Sequence, residues 1–157
     1  MATYHCSIKH GNGDKVLPHF DYINRQNKYD KKQDLIHTAS GNMPSCVLDA
    51  KEFWTKCAEK DKRAYREIEF ALPNELTREE QIQLVEEYIQ EVIPNNPYTY
   101  AIHEPESAIH GIKNPHVHLM FSERLLTEDV KDLDKEIFFK KRGINRIGET
   151  YGGAIKD

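Results

Sequence analysis

Polar and apolar side chains alternate from Arg66 to Leu72 until Pro73 interrupts them, which predicts a strand carrying Glu67 and Glu69 on one face. The period then changes. Thr77-Arg78-Glu79-Glu80 has capping-box spacing, and Ile82, Val85, Tyr88, Ile89 and Val92 recur at helical intervals, so a helix is expected up to the Pro94-Asn95-Asn96-Pro97 break. Two strand-like segments follow, residues 98–104 and 116–122, joined by a polar, glycine-containing connection that suits an antiparallel pair. Upstream, residues 3–9 read as a first strand running into a Gly11-Asn12-Gly13 turn. Pro18 fits the first position of a helix over residues 19–28, with Tyr22 inside it and Tyr29 two turns further along. Residues 38–44 read as a loop, and Asp49 can cap a helix whose apolar stripe is Phe53, Trp54 and Cys57. Thr127 opens a second helical stretch through Val130, Leu133, Ile137 and Phe138, and residues 143–157 look irregular. Strands interleaved with helices around an antiparallel pair favour an α+β fold, a mainly antiparallel sheet with helices packed on one face.

Composition narrows the class. At 157 residues, residues 1–157 are expected to form one domain with an adequate core. Hydrophobic residues at 38% and charged residues at 31% are those of a globular chain. No run approaches the roughly 20 apolar residues of a membrane span, and MATYHCSIKH lacks the apolar stretch of a signal peptide, so membrane insertion is not expected and a cytoplasmic location is. Cys6, Cys46 and Cys57 are odd in number and unpaired in spacing, which suggests neither a disulfide framework nor a thiolate zinc site. The net charge of −4 runs against the basic surplus of most nucleic-acid binders. Basic residues nevertheless cluster over 25–32 and 140–142, so one basic face could hold a polyanion, and solvated helix faces would explain the clusters equally well.

The chemistry sits in Asn114-Pro115-His116-Val117-His118-Leu119-Met120-Phe121. Two histidines separated by one residue in a strand project from the same face, and antiparallel pairing can bring His103 of the preceding strand beside them. Three neutral imidazoles on one sheet face make a site for a divalent ion with open positions for substrate oxygens; a lone His-x-His would read as surface histidines on an edge strand. Glu67 and Glu69 are candidates to orient these imidazoles or to ligate directly, against the simpler reading of a solvated strand face. Tyr22 lies among amide and basic side chains in Asp21-Tyr22-Ile23-Asn24-Arg25-Gln26-Asn27-Lys28-Tyr29. A tyrosine can act as a covalent nucleophile and a metal-bound phosphate is a suitable electrophile, although most helical tyrosines only pack.

Together, these segments resemble the MobA/MobL family of plasmid mobilization relaxases, within the wider HUH endonuclease group. The likeness runs over most of the chain, through Ala2-Thr3-Tyr4-His5, residues 21–29, Ser40-Gly41-Asn42-Met43-Pro44 and Glu67-Ile68-Glu69-Phe70-Ala71-Leu72-Pro73, to the histidine motif at 114–124. The resemblance implies an N-terminal nicking domain of a longer protein, built on about five antiparallel strands. It implies a divalent ion (Mn, Mg, Zn or Ni) held by His103, His116 and His118, and attack by Tyr22 on one strand of DNA at a plasmid transfer origin. The product would be a 5′-phosphotyrosine that can later be rejoined. A phenol ionises near pH 10, so a base is wanted, and Asp21, Asp34 and Glu69 are candidates. Arg25, Lys28, Tyr29, Lys31, Lys32, Arg124, Lys140, Lys141 and Arg142 are the candidate DNA contacts. The partners implied are single-stranded DNA at the transfer origin, accessory mobilization proteins and a coupling protein. Where relatives carry a small-residue run before the tyrosine helix, this chain has Asp14-Lys15-Val16-Leu17-Pro18-His19-Phe20, and Tyr29 is an alternative nucleophile. Competing readings are a replication initiator or transposase with the same chemistry, a non-catalytic single-stranded DNA-binding module with a structural metal, and a simple metal hydrolase.

Overall fold

The computed structural model describes residues 5–105 and 111–156. In chain order the elements are β1 (Cys6–Asn12), α1 (Gly13–Ile23), a 3-10 turn (Asn27–Tyr29), β2 (Leu35–Gly41), α2 (Ala50–Lys60), β3 (Arg63–Ala71), α3 (Arg78–Val92), β4 (Tyr98–His103), β5 (His116–Phe121), α4 (Lys135–Phe138), β6 (Gly143–Ile144) and β7 (Thr150–Tyr151). The first five strands form one antiparallel sheet in the order β1-β3-β5-β4-β2, as an α+β chain of this patterning should. The helices divide between its faces, where sequence suggested a single covered side. Val85 and Ile89 of α3 pack on Ile68, Tyr100, Ile102, Val117 and Leu119. The opposite face takes Val16, Phe20 and Ile23 of α1 and Phe53, Trp54 and Cys57 of α2 against Ala101 and Met120. Alternation along β4 and β5 makes this division, because odd and even residues look in opposite directions.

The predicted capping box at Thr77 and Glu80 is present on both sides, and Asp49 accepts the Glu52 amide as the cap of α2. Strands 66–72, 98–104 and 116–122 are found within a residue or three of their expected limits.

Five expectations change. Thr3 and Tyr4 of the first predicted strand, with most of the Ala2–His5 motif, lie outside the described residues, but the strand continues through Gly11 to Asn12 where a turn was expected. Gly11 pairs with Tyr65, and a Cβ there would stand 2.2 Å from the Tyr65 ring, so the glycine serves a close packing contact within the strand. The helix of Tyr22 begins at Gly13 and carries Pro18 in its interior, and it ends at Ile23, not Lys28. The Arg25 amide bonds to the Tyr22 carbonyl and the Gln26 amide to Asp21, a Schellman ending in which Arg25 holds the left-handed position (φ 51) usually given to glycine. Tyr29 therefore belongs to a separate 3-10 turn. Residues 35–41 form an edge strand, so the loop expected from residue 38 begins only after Gly41. Past Thr127 the helix shrinks to Lys135–Phe138, because Ser45 takes the Lys131 carbonyl with both its amide and its hydroxyl and breaks the ladder; β6 and β7 form a short hairpin inside the tail.

Candidate functional site

His103 is the last residue of β4 and His116 the first of β5, and the register sets them directly opposite one another, with His118 two residues further on the same face. Each offers a ring nitrogen, and the three atoms lie within 4.8 Å of one another. Ring centroids are 4.7 Å apart for His103 and His118, 4.9 Å for His116 and His118, and 5.5 Å for His103 and His116. Burial pushes the His103 imidazole down to about 4 and lowers His116 as well, so both are neutral at pH 7 and carry lone pairs.

Glu67 is 3% exposed and sits diagonally across from His118, whose Nδ1 is 2.8 Å from Oε1. Burial alone would raise this carboxyl; the contacts with His118 and His19 outweigh it and hold Glu67 at about 2. A carboxylate on Nδ1 fixes the tautomer so that His118 Nε2 keeps its lone pair, and that atom is buried with no hydrogen-bond partner among the described residues. An unpartnered buried ring nitrogen facing two neutral imidazoles fits a divalent cation. Glu69 is further away, 3.8 Å from His118 Nδ1 and 3.9 Å from Lys9.

Tyr22 faces this cluster from α1. Its ring stands edge-on to His118 at 6.0 Å and to His103 at 6.3 Å between centroids. Tyr29 meets the Tyr22 ring at 5.2 Å and makes no ring contact with the three histidines among the described residues. Lys32 Nζ lies over the Tyr22 ring at 5.4 Å, and Lys28 Nζ over Tyr29 at 5.0 Å. The 25–32 segment thus brings amines to the tyrosines, while Lys31 is exposed and makes no ion pair among the described residues.

Three expected DNA contacts have carboxylate partners within the chain: Arg25, Arg124 and, at 3.4 Å from Asp129, Arg142. Arg25 is 9% exposed; Nε and Nη2 donate to the two oxygens of Asp34 at 2.7 and 2.9 Å, and Nη1 donates to the Tyr22 carbonyl. Nη2 also lies 3.1 Å from His103 Nδ1, while His103 Nε2 meets the Ile23 carbonyl at 2.6 Å. With Nε2 protonated, the Nδ1 lone pair that Arg25 meets is the one a cation would need, so the guanidinium and a cation would compete for it. The side chain thereby ties the end of the tyrosine helix to β4, which explains an arginine in a strained position. The hydrogen bonds from Arg25 also lower the Asp34 carboxyl, which makes it a weaker proton acceptor. Arg124 is 2% exposed and spends its guanidinium on Asp61 and the Phe138 and Phe139 carbonyls, so it is a buried tie between segments.

His19 was missed. Its Nε2 lies 3.0 Å from Glu67 Oε1, off the alignment of a good hydrogen bond, and its ring stacks on Tyr65 at 5.0 Å. Its spacing from Tyr22 was the available signal, since residues three apart on a helix share a face.

The family model described as MobA/MobL matches residues 12–153. The chain is 45% identical over 149 residues to the 43 kDa relaxation protein of Salmonella typhimurium, covering 90% of this chain and 39% of that one. It is 38% identical over 134 residues to mobilization protein A of Escherichia coli, covering 80% of this chain and 18% of the other. The chain therefore spans well under half the length of these relatives. A solved structure from work on vancomycin resistance transfer in Staphylococcus aureus superposes with a TM-score of 0.61, 18% identity, and coverage of 99% of this chain and 81% of that one, which is a likeness of fold. No helix among the described residues is long and apolar enough to cross a membrane.

Proposed function

The chain belongs to the MobA/MobL family, and on that premise we propose that this domain nicks one strand of plasmid DNA at a transfer origin through Tyr22, with a divalent cation held by His103, His116 and His118. The observation that carries this reading is the Tyr22 ring standing edge-on to two of the three histidines. A cation bound there supplies positive charge to the non-bridging oxygens of the scissile phosphate.

The chain's own groups do the remainder. α1 aims Tyr22 at the cluster, and Arg25 holds the end of that helix through Asp34, just before β2, and His103 of β4. Tyr22 Oη forms a bond to phosphorus, the bond to the 3′ oxygen breaks, and the phenol proton leaves to a base. The 3′ oxygen departs as a hydroxyl, and the phosphotyrosine preserves the phosphodiester energy, so the same steps reversed reseal the strand without ATP. Glu67 fixes the His118 tautomer and acts as a positioning residue. Asp34 is held in an ion pair with Arg25, whereas Asp21 Oδ1 is buried without a hydrogen-bond partner among the described residues, so we assign the base to Asp21 before Asp34. Lys28, Lys31 and Lys32 contact phosphates near the tyrosine.

Incubation with a single strand carrying a transfer-origin nick site and Mn or Mg should leave a nucleotide conjugate on the peptide of residues 21–29, seen by mass spectrometry. Tyr22→Phe should abolish it. A conjugate that survives Tyr22→Phe and is lost in Tyr29→Phe would move the nucleophile to Tyr29, and release of both strand ends without protein attachment would make the domain a hydrolase.

A further inference from the structure

Beyond the end of β5 remote from the histidines lies a cavity of about 860 Å³, walled by the end of α2, the segment after α4 and the β6–β7 hairpin. Seven of its lining residues are lysine or arginine and two are acidic, in a chain whose net charge is −4. Arg124 and Lys156 share the buried Asp61, which ties the tail after β7 to the segments that follow α2 and β5. Lys60 and Lys62 on one wall and Lys140 and Lys141 on the other have no carboxylate within ion-pair distance among the described residues. Four uncompensated amines around one concavity repel one another, a cost that a bound polyanion removes.

We propose that this cavity is a second DNA-binding site, a sequence-independent clamp on the sugar–phosphate backbone away from the point of cleavage; the assignment of DNA as the polyanion rests on the nicking function above. Phe139 and Ala154 of its lining belong to the apolar cluster that Tyr22 also packs against, so it lies on the same side of the sheet as Tyr22. From Lys62 to Glu69 along β3 is seven residues, or about 23 Å at roughly 3.3 Å per residue, a distance the same DNA molecule bridges easily. The walls are amines, no amide side chain lines them and the Phe139 ring is only 3% exposed, so the clamp reads charge and not base edges.

The test uses the full chain with Tyr22→Phe, so that no covalent product interferes, and fluorescence anisotropy of a labelled mixed-sequence single strand at several salt concentrations. Lys140→Gln with Lys141→Gln should weaken binding about tenfold or more and flatten the salt dependence by about 1.4, since each single-strand phosphate contact contributes about 0.7. Lys60→Gln with Lys62→Gln, on the opposite wall, should do the same, which guards against a fold defect in either pair. Arg78→Glu on α3 makes the same net charge change on the other face and should have little effect. Equal losses in Arg78→Glu, or an unchanged salt slope in both lysine pairs, overturn the clamp. Poly-glutamate binding as tightly as DNA, and lost in the same variants, overturns it in favour of an acidic protein. If the wild-type chain forms no tyrosine conjugate while the lysine pairs still weaken DNA binding, the nicking function falls and the clamp stands; a conjugate with unchanged binding means the reverse.

Discussion

The two faces of β4 and β5 are one peptide bond apart and are organised on opposite principles. Val117 and Leu119 have no exposed surface and meet Val85, Ile89, Tyr100 and Ile102 in an apolar layer whose Tyr100 hydroxyl is satisfied by Glu86 at 2.6 Å. His116 and His118 look the other way, and that side carries the buried polar atoms left without hydrogen-bond partners among the described residues: Ser7 Oγ, His19 Nε2, Asp21 Oδ1 and His118 Nε2. Each such atom costs about 1–3 kcal/mol, so the chemical face is maintained against its own packing energy by the apolar face behind it. A strand's two-residue period lets one segment hold the fold together and present reactive groups at once.

The strongest break in this comparison should come from the apolar side. Leu119→Ala should cost 2–5 kcal/mol of unfolding free energy in urea titration, with cation affinity per folded molecule unchanged; a parallel loss of affinity would mean that the faces are mechanically coupled. Next, Glu67→Gln should weaken divalent-ion binding about 10- to 100-fold by calorimetry while the melting temperature stays close to wild type, because the lost carboxylate orients His118 without closing the core. Retained affinity would remove Glu67 from the site.

Acid should separate the faces further. His103 is held at about 4 when folded and His116 is also lowered, against about 6.5 in the unfolded chain. Between those values the unfolded chain binds more protons, so stability falls as pH drops from about 6.5 towards 4 and levels off above about 7. Melting followed in the presence of chelator should show this slope, and His103→Asn should reduce it; the same slope in wild type and variant would assign it elsewhere. The smallest effect is expected for Thr77→Ala, which loses one side of the α3 capping box and should cost about 1 kcal/mol with no change at the histidines.

Much of this was legible in the chain. Helix α3 was readable because its cap and its stripe are local, and His116 and His118 shared a face because alternation alone requires it. The edge strand β2 was not, since Thr38, Ser40 and Gly41 have loop composition and become a strand only by pairing with Thr99 and its neighbours on β4. The end of α1 was misplaced for a related reason: Arg25 takes a glycine's conformation because Asp34, the Tyr22 carbonyl and His103 repay its strain. Arg124 looked like any surface cation near a motif until Asp61, 63 positions away, took its charge.

What sequence alone determined is what depends on neighbours along the chain: element periods, caps, the shared face of Glu67 and Glu69, and the identity of the histidine and tyrosine motifs. Tertiary structure decided which charges are spent and which are free, since Arg25 and Arg124 are buried in ion pairs while Lys140 and Lys141 face a cavity. The physical reason is that periodicity acts over a few residues, whereas desolvation and charge pairing depend on partners that only the folded sheet brings within 3 Å.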